Sequence, residues 1–571
     1  MGISNPSQAQ YDAMAHQLGY DLPTFMQFYK FLGDLLTGNW GISITINHGE
    51  PVINLIRESF PSMIEFIILP VGIGIVIGIL LGKISNRYRG RWVDKLIRLI
   101  TILGISFPVF FLGLFFQYGL HITDSPLPII GWKSPMNPTP PTVTGFRMYD
   151  AILAGQMYLV GDIIVHYLIP GTILFITTFA LITRETRAKY DSKPHQRSVI
   201  SNSVITGSVF GLVFMSFFLI DITFNLNSFG YMIINAIIYH EYWLLRVCLF
   251  AIVITLVIIL FISNAIFMLY RFAIKDRIGD RFKKKSGENV NIANNSEEIL
   301  GPYIKSRLKS PMCIIGLILV LFFVVSVLFS QLITGYTFEQ AKALDMGAWN
   351  PPSPAHPLGQ TEFGRDVFAR TMYGLRDSIV FGFGAVLIGL IGGVIFGILA
   401  GRFTKWGYKT IMGMMILVYI LPAFLIIIFL ISSFGFNFLI IYLINVVVVG
   451  ILLIPNITRA IAINMDGTIN IHKIVKPVII QIPLNVAIAI LIYNSVGFLG
   501  FVPFSFIQLG SDMSLARVLL FEAPWASLWP GVAIFELVIS FLILHVGLKG
   551  FGRKVRKRKA LKTTASIERQ K

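Results

Sequence analysis

Residues that could carry out chemistry are sparse in this sequence, and few stand in a pattern that chemistry requires. It contains no Gly-x-x-x-x-Gly-Lys-Ser/Thr phosphate loop, no His-Glu-x-x-His metal motif and no Gly-x-Ser-x-Gly nucleophile turn. The nine histidines are scattered. Cys248 and Cys313 stand in apolar runs, which favours small buried side chains over a disulfide or a metal site. The sequence therefore predicts no catalytic, cofactor-binding or metal-ligating residue, and no enzyme activity in this chain.

Glu536 is the one acidic residue that we place deep inside a long apolar run, residues 528–548. A carboxylate inside a membrane is costly, and it is a candidate for proton transfer or for contact with a substrate. We find no acidic or basic partner in the middle of another apolar run. This favours a hydrogen-bonded structural glutamate, with a proton relay as the alternative.

Membrane helices must position these residues, because the composition is that of a membrane protein. Of the 571 residues, 55% are hydrophobic and 13% are charged, against about 25% charged in a typical soluble domain. A helix needs about 20 apolar residues to cross a bilayer, and only helices satisfy their own backbone over such lengths in lipid. The sequence therefore predicts an all-α polytopic protein with about eleven spans, near residues 60–82, 97–120, 162–183, 203–224, 244–270, 311–334, 378–401, 410–432, 435–457, 480–502 and 528–548.

The net charge of +18 follows the membrane topology. Most of the 47 basic residues fall in alternate loops, whereas most of the 29 acidic residues fall elsewhere. The basic segments are 83–98, 184–197, 271–309, 402–409, 459–476 and the tail after 548. Basic loops stay in the cytoplasm, so the pattern predicts a multi-pass protein of the cell membrane with its amino end outside and its carboxyl end cytoplasmic. The lipid bilayer accounts for the positive charge, and we expect no nucleic-acid partner.

The sequence repeats itself in two halves. Gly82-Lys83 aligns with Gly401-Arg402, Trp92 with Trp406, and Pro108 with Pro422. The charge pattern places both copies the same way up, which predicts parallel pseudo-repeats with a pathway between them. The predicted organisation is a first half at 1–270 (an outer segment at 1–57, then five spans), a cytoplasmic linker at 271–310, a second half of six spans at 311–552 and a basic cytoplasmic tail at 553–571.

Glycines recur at four-residue spacing in the first span of the first half and the second span of the second half. Small residues at this spacing let two helix backbones approach closely in lipid. The glycines that we assign to helix packing are Gly78, Gly82, Gly393, Gly397 and Gly401.

Several stretches resemble the two permease subunits of dipeptide, oligopeptide and nickel ABC importers, the binding-protein-dependent inner membrane components. One subunit is resembled by HPLGQTEFGRDVFARTMYGLRDSI (356–379), VGFLGF (496–501) and LWPGVAIFELVISFLILHVGLKGFGRK (528–554). Its partner is resembled by LGYDLPTFMQFYKFLGDLLTGNWGIS (18–43), PVINLIRESFPSMIEF (51–66) and FNLNSFGYMIINAIIYHEYWLLR (224–246). The resemblance implies a fused permease with the fold of a type I ABC importer.

The resemblance also implies a function and partners. The chain would form the translocation path for short peptides or similar small solutes, with two cytoplasmic ABC ATPases and an extracellular substrate-binding protein as partners. ATP would bind to the ATPases, so no cofactor is expected in this chain. Each half of such a permease has a coupling segment between its fourth and fifth spans, here at 183–202 and 458–483. The implied coupling residues are Arg184, Arg187, Lys189, Asp466, Gly467, Ile469, Ile471 and Lys473.

The sequence departs from the family in two respects. Both coupling segments are short, and the family's first span does not appear before the outer segment at 1–57, which leaves open a lost span or a misassigned start at Met1. The short coupling segments and Glu536 leave open an ATP-independent channel or secondary transporter built on the same fold. The substrate also stays open between peptides, oligosaccharides and metal chelates.

Overall fold

A computed structural model of the chain describes residues 22–43, 45–46, 48–191, 199–239, 241–283, 300–344, 347–403, 405–418, 423–434, 437–465, 470–503 and 506–550. Within these ranges the protein is all-α. The first half contains α1 (Thr24–Leu36), α2 (Val52–Arg87), α3 (Trp92–Ser106), α4 (Val109–Ile122), α5 (Arg147–Leu153), α6 (Met157–Asp191), α7 (Val199–Phe224), α8 (Phe229–Ile238) and α9 (Tyr242–Lys283). The remainder contains α10 (Leu300–Leu308), α11 (Pro311–Leu328), α12 (Ser330–Thr334), α13 (Phe338–Lys342), α14 (Val367–Arg402), α15 (Lys405–Leu417), α16 (Ala423–Phe434), α17 (Phe438–Asn464), α18 (Ile471–Phe498), α19 (Leu509–Ala516) and α20 (Pro524–Lys549).

The predicted fold class is confirmed. Eight described helices are long and apolar enough to cross a membrane, namely α2, α6, α9, α11, α14, α17, α18 and α20. Two bent helix pairs raise the number to 10. The predicted span at 410–432 coincides with α15 and α16, and residues 419–422 between them, including Pro422, lie outside the described residues.

The predicted span at 97–120 is bent rather than straight. Its two parts, α3 and α4, meet at an angle of 90°. The break falls at Phe107-Pro108, where Phe107 has an extended backbone with ψ of 121°. Proline has no N–H to donate and disfavours helical backbone in the residue before it, so the helix ends there.

A second break, between α7 and α8, has an angle of 83°. The Asp221 carboxylate accepts hydrogen bonds from the Ser228 N–H (3.2 Å), the Ser228 hydroxyl (2.8 Å) and the Tyr231 N–H (2.8 Å). These bonds satisfy donors that the start of α8 would otherwise leave unpaired. The short helix α8 was not predicted as a separate element.

The region predicted as a linker, 271–310, is partly helical. Helix α9 continues to Lys283 and α10 covers Leu300–Leu308. The Tyr303 hydroxyl of α10 donates a hydrogen bond of 2.8 Å to the Leu548 carbonyl of α20. Residues 284–299 and the predicted tail at 553–571 lie outside the described residues.

The two halves meet along a seam that joins α3, α4 and α6 to α17, α18 and α20. Phe107 stacks on Phe535 with ring centroids 3.9 Å apart, and Phe110 stacks on Phe498 at 4.6 Å. Phe110 and Phe498 are fully buried. Such pairs add directional contact to the burial of large apolar rings, so the halves form one continuous core.

Candidate functional site at the basic face

The glycine-bearing helix of the first half packs directly on α6. A Cβ atom added at Gly78 would lie 2.7 Å from the Ile182 Cβ, and one added at Gly82 would lie 2.6 Å from the Thr186 Cβ. A step of four residues along α2, from Gly78 to Gly82, matches a step of four residues in the same direction along α6. Helices α2 and α6 therefore run parallel, with their backbones in close approach.

The second half repeats this arrangement between α14 and α17. Added Cβ atoms would lie 2.5 Å from the Ile457 Cβ at Gly393, 2.8 Å from the Ile461 Cβ at Gly397 and 2.6 Å from the Met465 Cβ at Gly401. The structure thus places all five glycines assigned to packing at two equivalent parallel helix contacts. We call the side on which α2, α6, α14 and α17 end the basic face, because the predicted basic loops lie there.

Arg187, assigned above to ATPase coupling, is buried and bonded to other residues of the first half. It is buried, and its Nε lies 3.1 Å from Asp94 Oδ1 and 3.0 Å from the Ser85 hydroxyl. The Ser85 hydroxyl and the Gly90 N–H also donate to Asp94, at 2.6 and 2.9 Å. Arg187 therefore ties the end of α6 to the start of α3.

The other residues predicted in the first coupling segment differ in their surroundings. Arg184 is partly exposed on α6 beside the seam. Lys189 lies in α6, but its side chain is not among those that the structure describes. Between them, the Glu185 carboxylate accepts a hydrogen bond of 3.2 Å from Arg459 Nη1 of α17. This ion pair joins the two halves at the basic face.

The second coupling segment is a short connection between α17 and α18. Asp466, Gly467 and Ile469 lie outside the described residues. Ile471 is the first residue of α18 and is 68% exposed. Lys473 follows in the same turn and is half-buried. The Asn470 side chain caps α18 by accepting from the His472 N–H at 2.9 Å, so α18 starts at a defined residue on the basic face.

Sequence reasoning missed a buried ion pair at the opposite face. Arg370 of α14 is 2% exposed, and its Nε and Nη2 lie 2.9 and 2.6 Å from the two oxygens of Asp512 in α19. Arg370 also donates to the carbonyls of Phe506 (2.9 Å) and Ala341 (3.3 Å). An arginine at the start of an apolar membrane helix requires an acidic or hydrogen-bonding partner. Arg370 could therefore have been predicted to form an ion pair. Nothing in the sequence pointed to Asp512.

The motif at 356–379 surrounds the Arg370–Asp512 ion pair, and we call this region the corner. Asp366 caps α14 by accepting from the Ala369 N–H at 2.6 Å, and its other oxygen lies 3.0 Å from His356 Nδ1. Burial lowers the pKa of the Arg365 guanidinium, and the positive charge of Arg370 lowers it further, whereas Asp512 opposes the shift. Two arginines thus crowd the corner, and the Asp512 carboxylate offsets their repulsion.

The prediction for Glu536 was wrong in two respects. Its side chain is exposed on α20, and the described residues give its carboxylate no hydrogen-bond partner. It is also not the one carboxylate within a spanning helix, because other carboxylates lie in such helices and one of them, Glu65, lies inside the predicted span at 60–82. Asp377 lies in α14 and accepts a hydrogen bond from the Tyr493 hydroxyl, and Glu65 lies in α2 and accepts from the Met148 N–H at 2.9 Å.

The fold and these contacts define a polytopic membrane protein of two parallel helical repeats, joined at a seam and at a basic face. Residues 74–196 match the family described as the binding-protein-dependent transport system inner membrane component. The match runs from the middle of α2 through α3, α4 and α5 and past the end of α6, and it includes the first glycine contact. The predicted resemblance to permeases of this type is confirmed.

Individual relatives agree with this family. A probable D,D-dipeptide transport system permease protein, DdpB, of Escherichia coli (strain K12) is 34% identical over 186 residues, covering 32% of this chain and 53% of that protein. In Alkalihalophilus pseudofirmus, the dipeptide permease protein DppC is 29% identical over 267 residues, 43% of this chain and 86% of that protein. DppB of the same organism is 31% identical over 175 residues, 31% of this chain and 52% of that protein. The chain thus spans about half the length of DdpB and DppB, and similarity to two differently named subunits fits a fused permease.

The ion pair between the halves supports a first prediction. Glu185→Gln is expected to lower the free energy of unfolding by about 1–2 kcal/mol, because both side chains are one-fifth exposed and solvent screens the pair only in part. Glu339→Gln is the matched control, because Glu339 makes a surface pair with Lys342 at 3.4 Å and is 79% exposed. Unfolding of the detergent-solubilised variants by denaturant measures both. Equal effects of the two substitutions would contradict a role for Glu185 in joining the halves.

Proposed function

We propose that the chain is the membrane permease of an ABC importer, and that it forms the path by which short peptides or similar small solutes enter the cell. The observation that carries the proposal is the matched packing of α2 on α6 and of α14 on α17, within a chain whose relatives are named as dipeptide transport permeases. Two parallel repeats around one axis provide a pathway that both halves line. The chain itself would be a transport subunit and not an enzyme.

The partners follow from the same proposal. Two cytoplasmic ATPases would dock on the basic face and hydrolyse ATP, and an extracellular binding protein would deliver the solute to the opposite face. This orientation places the carboxyl end in the cytoplasm and agrees with the distribution of basic residues. When the two ATPases close on ATP, their movement can reach the membrane helices only through elements of the permease that contact the ATPases. Ile471 is the described residue best placed for such a contact, because it is apolar, exposed and rigidly held by the capped start of α18.

One observation favours an alternative, an ATP-independent channel or secondary transporter. Helix α17 ends at Asn464 and α18 begins at Ile471, which leaves a short connection for ATPase docking. If this alternative holds, the purified chain in liposomes conducts its solute without ATPases. If the importer proposal holds, the chain purifies together with its ATPases, and the solute on its binding protein stimulates ATP hydrolysis.

The importer proposal gives a second prediction. Ile471→Asp is expected to reduce substrate-stimulated ATP hydrolysis by about tenfold, because a charged side chain at the docking contact costs at least about 1.4 kcal/mol of coupling. Leu344→Asp is the control, since Leu344 is 69% exposed and Ile471 is 68% exposed, but Leu344 lies in the outer segment before α14. ATP hydrolysis by the assembled complex in liposomes is the measurement. If Ile471→Asp left substrate-stimulated ATP hydrolysis unchanged, the start of α18 would not be a contact through which the ATPases act on the permease.

A further inference from the structure

Arg517 lies at the seam, on the face opposite the basic face, and it has no role in the transport proposal above. Helix α18 starts on the basic face at Ile471, so its end at Phe498 lies on the opposite face. Arg517 follows in the connection between α18 and α20, at the start of a short 3₁₀ helix, Arg517–Leu519. Its guanidinium lies over the Phe498 ring, 5.5 Å from the ring centroid.

The two halves of the chain meet beside Arg517. The Phe498 ring stacks on the Phe110 ring of α4, with centroids 4.6 Å apart. Beyond Arg517, the Phe521 ring lies 4.4 Å from the ring of His121, near the end of α4. Contacts to the first half therefore lie on both sides of Arg517 in the sequence. Two parallel repeats place a pathway between the halves, so a solute that entered from this face would pass close to Arg517.

The guanidinium of Arg517 makes no hydrogen bond within the part of the chain that the structure describes. Its Nη1 is buried without a hydrogen-bond partner. A guanidinium has five N–H donors and stays charged in proteins. A buried donor without an acceptor is unfavourable, because the group has lost its water and gained nothing in return. A ligand that supplied acceptor oxygens would remove this cost.

Other arginines on the same face have carboxylates beside them. The two oxygens of Asp512 bind Arg370 at 2.9 and 2.6 Å. Burial lowers the pKa of the Arg365 guanidinium, whereas Asp512 and Glu362 raise it. Burial also lowers the pKa of the Arg517 guanidinium, but there no carboxylate opposes the shift. Arg517 is therefore a desolvated cation without a carboxylate to offset it, and such a charge attracts an anion.

The position of the guanidinium favours a small ligand. Its Nη1 is buried, but Arg517 as a whole is partly exposed, so the charged group is recessed and still accessible. A recessed guanidinium suits a small solute better than the flat surface of a folded partner. Arginine binds a carboxylate through two parallel N–H···O bonds, and every unmodified peptide ends in a carboxylate.

We infer that Arg517 binds the carboxyl-terminal carboxylate of a short peptide as the peptide enters the pathway from this face. The inference rests on the proposed function, which supplies the peptide. The carboxylate accepts hydrogen bonds from the guanidinium, and the Phe498 ring holds the guanidinium in place by a cation–π contact. Arg517 thus determines specificity, because it favours peptides with a free carboxylate over peptides whose carboxyl end is blocked.

The test compares trialanine with trialanine amide, which lacks the terminal negative charge. Each radiolabelled peptide is equilibrated by dialysis with the full chain, purified in a neutral detergent. The Kd of trialanine is expected to be roughly tenfold lower than that of the amide, because hydrogen bonds to a charged group are lost with the amide. Arg517→Gln should raise the Kd of trialanine by roughly tenfold and leave that of the amide unchanged. Arg517→Lys should keep part of the preference, because it keeps the charge but not the paired donors.

Arg376→Gln is the matched control. Arg376 also lies over a phenylalanine ring on this face, 4.9 Å from the centroid of Phe338, but it interacts electrostatically with the Asp377 carboxylate. The substitution should leave both Kd values unchanged. Equal binding of the two peptides by the wild-type chain overturns the inference, and this comparison requires no variant to fold. An unchanged preference for trialanine in Arg517→Gln also overturns it.

Two further measurements separate this inference from its alternatives. Uptake of both peptides is measured in liposomes that contain the chain with its ATPases and binding protein. The binding protein is the same for wild type and Arg517→Gln, so a change in the ratio of the two uptake rates is due to the permease. Uptake with an unchanged ratio overturns the inference and keeps the proposed function, whereas no uptake of either peptide overturns both.

The second measurement concerns the source of the anion. Phosphatidylglycerol is added to the purified chain, and the lipid retained in native mass spectra is compared between wild type and Arg517→Gln. Equal retention by the two chains, with trialanine binding unchanged by the lipid, is expected. If only the wild type retains the lipid and the lipid displaces trialanine, the anion at Arg517 is a lipid headgroup and the inference is overturned.

Discussion

Arg370→Met is expected to destabilise the protein by about 3–5 kcal/mol, because it leaves the Asp512 carboxylate buried without its cation. The substitution also removes the donors to the Phe506 and Ala341 carbonyls. These contacts hold α19 and the segment before α14 against the start of α14. Thermal unfolding of the purified variant and its yield in membranes are the measurements, and both should fall.

Two further variants isolate the cause of this loss. Arg402→Met removes an exposed arginine from the other end of the same helix and should cost less than about 1 kcal/mol. The double variant Arg370→Met/Asp512→Leu replaces the whole pair with apolar groups and should recover much of the stability, since an apolar pair leaves no unpaired charge. If the double variant is as unstable as Arg370→Met, the lost packing of the arginine stem accounts for the effect.

The ion pair at this corner shows where sequence reasoning ends. The membrane spans could be predicted, because lipid requires long apolar helices and the basic loops mark their ends. Arg370 and Asp512 are 142 residues apart and come together only through the packing of α14 against α19. The sequence showed a charged residue near the start of a span but gave no means of choosing its partner.

Helix breaks were predicted less well than helices. Pro108 was visible as a repeated residue, yet the 90° bend between α3 and α4 depends on what α4 packs against, including Phe498 of the other half. The break after α7 depends on Asp221, whose bonds to Ser228 and Tyr231 exist only once the chain has turned. Hydropathy shows how apolar a segment is, but it does not show where the helix axis changes direction.

The candidate coupling residues illustrate a related difficulty. Position in the chain placed Arg187 and Ile471 in equivalent segments, but one is buried against Asp94 and the other is exposed. A basic residue near the end of a span serves equally well as a topology signal, as a docking contact or as a tie between helices. Burial separates these roles, and burial follows from neighbours that the sequence does not identify. The coupling assignments therefore stay predictions, with Ile471 the best placed to be tested.

The glycine contacts, by contrast, were predicted from spacing alone, and they support the last prediction. Gly393→Ala is expected to destabilise the protein by about 1–3 kcal/mol, because the new Cβ would lie 2.5 Å from the Ile457 Cβ. The backbone fixes the position of a Cβ atom, so no change of rotamer relieves this contact and the two helices must separate. Gly78→Ala should act similarly in the first half, where the added Cβ would lie 2.7 Å from the Ile182 Cβ.

Each helix provides its own control. At Gly384 of α14 the nearest atom to an added Cβ is Val446 Cγ1 at 3.7 Å, and at Gly72 of α2 nothing lies within 4 Å. Alanine at these positions should leave stability unchanged or raise it by up to about 1 kcal/mol, since alanine favours helix more than glycine does. The contrast is therefore in sign as well as in size, and denaturant unfolding of the four single variants measures it.

The double variant Gly78→Ala/Gly393→Ala tests whether the two contacts are independent. Sites in separate repeats that share no partner should give additive losses, about 2–6 kcal/mol together. Ile457→Ala, which shortens the side chain opposite Gly393 without moving its Cβ, should not rescue Gly393→Ala, because the clash is with the Cβ itself. Full rescue by Ile457→Ala would mean that the helices are farther apart than the contact requires. The parallel packing that carries the permease assignment in the second half would then have to be revised.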